Sequence, residues 1–196
     1  MKKFVISLLS VIFLCAAATA QVLVGMTDTT AYFPQLEGRR VAVLANHTAV
    51  ARFCAGAPGV AADTAVRLPG AASDGTIHLV DLLHGRGFDV TGIFSPEHGF
   101  RGTADAGEHV ASSVDAATGI PIRSLYDGNT KRPSDGAMRS FDVLVVDMQD
   151  VGLRFYTYYI TMLRMMDACA ESGRSVIVLD RPNPNGHHVD GPVLDM

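Results

Sequence analysis

Phe141-Asp142-Val143-Leu144-Val145-Val146-Asp147, then an amphipathic run over residues 153–172, then Ser175-Val176-Ile177-Val178-Leu179-Asp180, is the stretch that decides the fold. Each flank is a short run rich in β-branched residues bounded by charge, the pattern of a strand buried on both faces. Between them Phe155, Tyr159, Met162, Met166 and Cys169 recur every three or four residues until Gly173 ends the run, which predicts a helix with that stripe in the core. Strand, helix and strand in this order are a βαβ unit, whose strands run parallel. Residues 40–45 repeat the strand pattern, and residues 89–94 do so around an interrupting Gly92. Thr76 is placed to cap a helix carrying Ile77, Val80 and Leu83, which Gly85 and Gly87 stop. The expectation is an α/β fold with a mainly parallel sheet covered on both faces. Residues 51–75, rich in Ala, Gly and Pro, read as a surface insertion between the first strand and its helix.

The amino terminus has a different logic. Lys2 and Lys3 precede an apolar run that closes on Ala18-Thr19-Ala20, the order of a secretory signal peptide. The run is shorter than the roughly 20 residues a bilayer span needs, and no second long run follows. Residues 1–20 therefore read as a signal peptide and residues 21–196 as one exported domain, periplasmic or secreted, with no stable membrane insertion. Leu14 stands where a lipid-modified Cys15 would want a small residue. The mature chain carries 14 basic and 20 acidic residues, a net charge of −6, which is no nucleic-acid footprint. Of its two cysteines, Cys54 and Cys169, the second falls on the predicted helix stripe and reads as a small buried hydrophobe.

Ligands of open parallel sheets bind beyond the carboxyl ends of the strands. Those exits are polar here: Asn46-His47-Thr48, Ser95-Pro96-Glu97-His98-Gly99, then Asp147, Gln149 and Asp150, then Asp180-Arg181-Pro182-Asn183. Loops are polar in any protein, but four such exits on one sheet are a site candidate. From Pro96 to Asp115 the chain holds Glu97, His98, Arg101, Asp105, Glu108 and His109 among three glycines. Glycosidic cleavage commonly uses two carboxyl groups, one as acid and one ionised, and Glu97 with Glu108 can supply them. Glu97-His98 and Glu108-His109 also suit a divalent metal, although they match no dedicated motif such as His-Glu-x-x-His. Arg101, Arg154 and Arg181 can each grip a substrate carboxylate through a guanidinium fork, or pair with a structural aspartate such as Asp150 or Asp180. Gly-x-Gly-x-x-Gly, the Walker phosphate loop and Gly-x-Ser-x-Gly are absent, so neither a dinucleotide cofactor nor the usual serine hydrolase is indicated.

Asn46-His47-Thr48, Phe94-Ser95-Pro96-Glu97-His98-Gly99-Phe100-Arg101-Gly102, Asp105-Ala106-Gly107-Glu108, Gln149-Asp150-Val151-Gly152, Arg154-Phe155-Tyr156-Thr157-Tyr158 and Leu179-Asp180-Arg181-Pro182-Asn183-Pro184, in this order, resemble the bacterial exo-β-N-acetylmuramidase family. The resemblance implies a Rossmann-like three-layer domain and a second, smaller domain with the site between them. It implies release of N-acetylmuramic acid from the non-reducing end of peptidoglycan fragments, without a cofactor or metal. Glu97 becomes the expected catalytic glutamate, with Glu108 a conjectural partner. Asn46, His98, Arg101, Asp147, Gln149, Asp150, Arg154, Asp180, Arg181 and Asn183 become candidate contacts to the muramyl sugar. Asp147 or Asp150 could orient an assisting 2-acetamido group, and an arginine could hold the lactyl carboxylate. Since the chain stops at Asp195-Met196, where the family continues, it reads as an amino-terminal portion, with a non-catalytic wall-binding module or a metal-dependent hydrolase as alternatives. Mass spectrometry of exported protein should find an amino terminus at Gln21; intact Met1 in the soluble cytoplasm would contradict export.

Overall fold

The computed structural model describes residues 23–53, 71–72, 74–101, 113–125 and 132–192. The amino-terminal 20 residues, Cys54, Glu108 and most of the 51–75 insertion lie outside them. Eight strands occur among these residues: β1 Val41–Ala45, β2 Val50–Arg52, β3 Thr76–His78, β4 Val90–Ser95, β5 Ser113–Val114, β6 Pro121–Ser124, β7 Val143–Asp147 and β8 Ser175–Val178. The helices are α1 Thr29–Leu36, α2 Leu79–Gly85, α3 Asp135–Arg139 and α4 Thr157–Glu171. Six strands form one sheet in the order β5-β6-β4-β1-β7-β8. All neighbours in it are parallel except β5 with β6.

Alternation along the central strands builds two cores. Val41, Val43 and Ala45 of β1 face α1 and α2, joined by Val143 and Val145 of β7. Ala42 and Leu44 face α3 and α4 with Leu144, Val146 and Phe94. β1 and β7 are buried at every position, which is why both read as uninterrupted apolar runs. The result is helix, sheet, helix, the expected three-layer α/β fold.

Gly92, the interruption in β4, has a packing reason. A Cβ there would overlap the guanidinium of Arg123, which lies across the sheet from neighbouring β6.

Three expectations need correction. Thr76 does not cap a helix: it belongs to β3, which pairs antiparallel with β2 through Arg52, so the insertion springs from a hairpin. The cap is His78, whose Nδ1 accepts from the Val80 amide at 3.2 Å. Nε2 therefore carries the proton and donates to the Asn46 carbonyl at 2.9 Å. Burial holds this ring below the ordinary imidazole pKa, in keeping with a neutral tautomer.

The long helix starts at Thr157 rather than at residue 153, because Gly152, at φ 71°, turns the chain beneath the Asn183 amide. Its buried side consists of Tyr158, Thr161, Met165, Ala168 and Cys169. Of the anticipated stripe, Cys169 is buried and Met162 half-buried, but Phe155 is 80% exposed and Tyr159 and Met166 lie on the open face. Counting from residue 153 rotated the apolar face by about one residue.

The corrected face predicts a contrast between neighbours. Met165→Ala should cost about 2–5 kcal/mol of unfolding free energy and Met166→Ala less than about 1 kcal/mol, read by denaturant titration. Equal losses would contradict this helix register.

Candidate functional site at the carboxyl edge of the sheet

Numbered among themselves in chain order, the five parallel strands run 3-2-1-4-5 across the sheet, so the direction of winding reverses between β1 and β7. In open sheets of this winding the crevice above such a reversal is where ligands bind. The residues above it are tied by hydrogen bonds. Asn46 is wholly buried, and its Oδ1 accepts from the Thr48 amide at 3.0 Å and the Thr48 hydroxyl at 2.6 Å. The Thr48 Oγ1 in turn accepts from the Gln149 amide at 2.9 Å, across the crevice. Gln149 Nε2 donates to the Asp150 carbonyl at 2.7 Å and to the Pro182 carbonyl at 3.0 Å, reaching the exit of β8.

Asp147, the last residue of β7, is fully buried, so its carboxylate must be paired. Arg181 does this with a two-pronged contact, through Nε to Oδ1 and Nη2 to Oδ2, and donates further to the Val50 carbonyl at 3.1 Å. Burial raises the Asp147 pKa and the Arg181 charge opposes that rise. The partner of Arg181 is thus Asp147, not Asp150 or Asp180.

Glu97 follows β4 in a turn closed by the Gly99 amide on the Pro96 carbonyl at 3.2 Å. His98 stands there at φ 70°, a left-handed conformation costing a non-glycine residue about 1–2 kcal/mol. The bend carries Glu97 to the amino terminus of α4, where the Thr157 hydroxyl donates to Oε2 at 2.7 Å. The residue preceding that helix, Tyr156, offers no side-chain cap, and the Glu97 carboxyl group, coming from another loop, stands at this helix end. Tyr158, one residue on, links Glu97 to Asn46. Burial raises its phenol pKa, the Asn46 amide opposes the rise, and Tyr156 and Glu97 add to it. Asp150 Oδ2 is buried and unmatched. Asp150 lines a cleft of about 130 Å³, together with Met148, Tyr158, Met162, Asp180 and Arg181, among others.

Other sequence candidates fall elsewhere. Arg101 is committed to Asp81 at 3.0 Å and Asp115 at 3.1 Å, and it lies over the buried Phe100 ring. It fastens the Glu97 loop to α2 and to the β5–β6 hairpin. Arg154 is exposed and donates to the Pro192 carbonyl at 3.3 Å. Asn183 accepts from the Asn185 amide at 2.9 Å and stiffens its own loop, while Asp180 meets the amino-terminal segment through its carbonyl, which accepts from Gly25 N at 2.7 Å. Thr157 and Tyr158 stand in the motif Arg154-Phe155-Tyr156-Thr157-Tyr158, but the sequence alone assigns neither a role in the site. The spacing of Tyr158, Thr161, Met165 and Ala168 is the signal that places Tyr158 on the inner face. Among the described residues no group of three His, Cys, Asp or Glu could hold a metal ion.

The family described as Exo-beta-N-acetylmuramidase NamZ, N-terminal, matches residues 60–196. The chain belongs to this NamZ amino-terminal family. It is 48% identical over 118 residues to the peptidoglycan beta-N-acetylmuramidase NamZ of Bacillus subtilis (strain 168), 59% of this chain and 28% of that protein. Two crystal structures of DUF1343 family proteins from Bacteroides fragilis NCTC 9343 resemble it. One has a TM-score of 0.66 and 46% identity over 90% of this chain and 39% of its own length. The other has a TM-score of 0.62 and 34% identity over 83% of this chain and 35% of its own length. The chain thus spans little more than a quarter of its curated NamZ relative and under two fifths of these structures.

The Asp147–Arg181 pair generates a pH-dependent prediction. Arg181→Met strands a buried carboxylate and should cost about 3–5 kcal/mol at neutral pH. A raised folded-state pKa means the unfolded chain loses the Asp147 proton first, so this penalty grows as pH rises from the ordinary aspartate range. Denaturant titrations at pH 4 and pH 7 should show the smaller loss at pH 4, and Asp147→Asn should restore much of the neutral-pH loss; a pH-independent cost would contradict the assignment.

Proposed function

We propose that this chain is the amino-terminal part of an exported, exo-acting glycoside hydrolase that releases N-acetylmuramic acid from the non-reducing end of peptidoglycan fragments. The observation that carries the reading is the placing of Glu97. It follows β4 at the carboxyl edge of the sheet and accepts from the Thr157 hydroxyl, in a chain whose family is named for that activity. Glu97 would act as the acid: its O–H bond breaks as a new one forms on the glycosidic oxygen, and the leaving sugar takes the electron pair of the anomeric C–O bond. The substrate's 2-acetamido oxygen can attack the anomeric carbon from the other face. Asp150 Oδ2, unmatched within the protein, is an acceptor suited to orienting such a group.

The lactyl carboxylate is best served by Arg154, since Arg101 and Arg181 already hold aspartates. Glu108 remains a candidate second carboxyl group. Export follows from the amino-terminal pattern, and peptidoglycan-derived muramyl sugars are the proposed substrates.

In the full-length protein, Glu97→Gln should keep the fold and lower turnover of an N-acetylmuramic acid–N-acetylglucosamine disaccharide, whose leaving group needs the proton, by at least about a hundredfold. Near-normal turnover would remove Glu97 from the mechanism. Loss of wild-type activity on chelation would point instead to a metal, with Glu97, His98, Glu108 and His109 as its candidate ligands. Tight muramyl binding without hydrolysis would favour a wall-binding module.

A further inference from the structure

We infer that Thr157 is a positioning residue that fixes which oxygen of Glu97 carries the transferred proton; this rests on the reading of Glu97 as the acid. Glutamate has three side-chain torsions and two equivalent oxygens, so a carboxyl group at the end of a bent loop has no intrinsic preferred face. Thr157 removes that freedom. Its hydroxyl donates to Oε2 at 2.7 Å, and its β-branched side chain, at the first position of α4, is held in few rotamers. Oε2 is engaged, which leaves Oε1 for the leaving oxygen.

The partner is also matched to the charge that develops. As the Oε1–H bond breaks and the proton passes to the leaving oxygen, the carboxyl group gains negative charge. The hydroxyl donor already in place and the uncapped amino end of a 15-residue helix stabilise that charge without rearrangement. The next residue, Tyr158, faces the side chain of the wholly buried Asn46, so the start of this helix is tied to the exit of β1 as well as to Glu97. The Thr161 hydroxyl donates to the Thr157 carbonyl at 2.9 Å, so the first turn of α4 is braced from within.

The test compares Thr157→Val, which keeps the shape and deletes the donor, with Thr157→Ser, which keeps the donor. Each is measured in the full-length protein on two substrates: an N-acetylmuramic acid–N-acetylglucosamine disaccharide and the 4-nitrophenyl glycoside. A sugar leaving group needs the proton, whereas 4-nitrophenolate departs with little help. Thr157→Val should lower kcat on the disaccharide on the order of 10- to 100-fold with KM within about twofold, the scale of a misplaced catalytic group. The loss on the 4-nitrophenyl glycoside should be several times smaller, and Thr157→Ser should stay near wild type on both. Thr157→Ala repeats the comparison if the valine variant does not fold. Equal losses on both substrates, or a serine variant as impaired as valine, would mean that Thr157 merely supports the helix and would overturn the inference. Full activity of Thr157→Val beside an inactive Glu97→Gln would overturn it while leaving the functional reading intact. An active Glu97→Gln would sink the functional reading, and this inference with it.

Discussion

The carboxyl edge of the sheet depends on the burial of one charge. Asp147 ends the central strand β7 with no solvent exposure, and a carboxylate there is tolerable only with its counter-ion in fixed geometry. Arg181 provides it, and in doing so must come back over the sheet from β8 and reach the Val50 carbonyl beyond β1. That single pair therefore sets where three loops run. It also explains why Arg181 is not available to a substrate, however well a guanidinium fork would suit one.

On that frame lies a second layer of neutral contacts. Asn46, Thr48, Gln149 and the Pro182 carbonyl join the exits of β1, β7 and β8 into one network, and His78 ties the Asn46 carbonyl to the start of α2. Glu97 stands apart from it. Its loop is held from behind by Arg101 between two aspartates and in front by Thr157. The acidic residue is thus anchored to different elements from the amide groups opposite, and Tyr158 is where the two sets meet.

How much of this was legible follows from the physics of each feature. β1, β7 and the inner part of β4 were visible because continuous apolar runs are what two-sided burial requires; the same pattern in β8 marked a strand but not its burial, since β8 is a partly exposed edge of the sheet that ends at Val178. β5, β6 and α3 were not, being short, partly exposed edge elements whose sequence carries no period. The hairpin of β2 and β3 escaped for the same reason, and Thr76 looked like a cap because capping residues are also common at strand starts. The stripe of α4 was misread by one residue because Phe155 and Tyr159 are large and apolar yet lie on the open side, while Thr161 lies inside. For the site, polar exits pointed to the right edge of the sheet and to Glu97. Partners could not be read: Arg101 and Arg181 differ only in which aspartate reaches them in space. Thr157 stood in a motif without a role, because a helix-initiating threonine shows none until a carboxylate from another loop meets it.

The most direct test of the account is the order of products from a peptidoglycan glycan chain of defined length, labelled at its reducing end and incubated with the full-length protein. Free N-acetylmuramic acid should appear from the earliest times, with labelled chains shortened by that one residue and no labelled fragment cut from the interior. Internal fragments at early times, or unchanged chains in the presence of folded protein, would contradict an exo-acting muramidase built on Glu97.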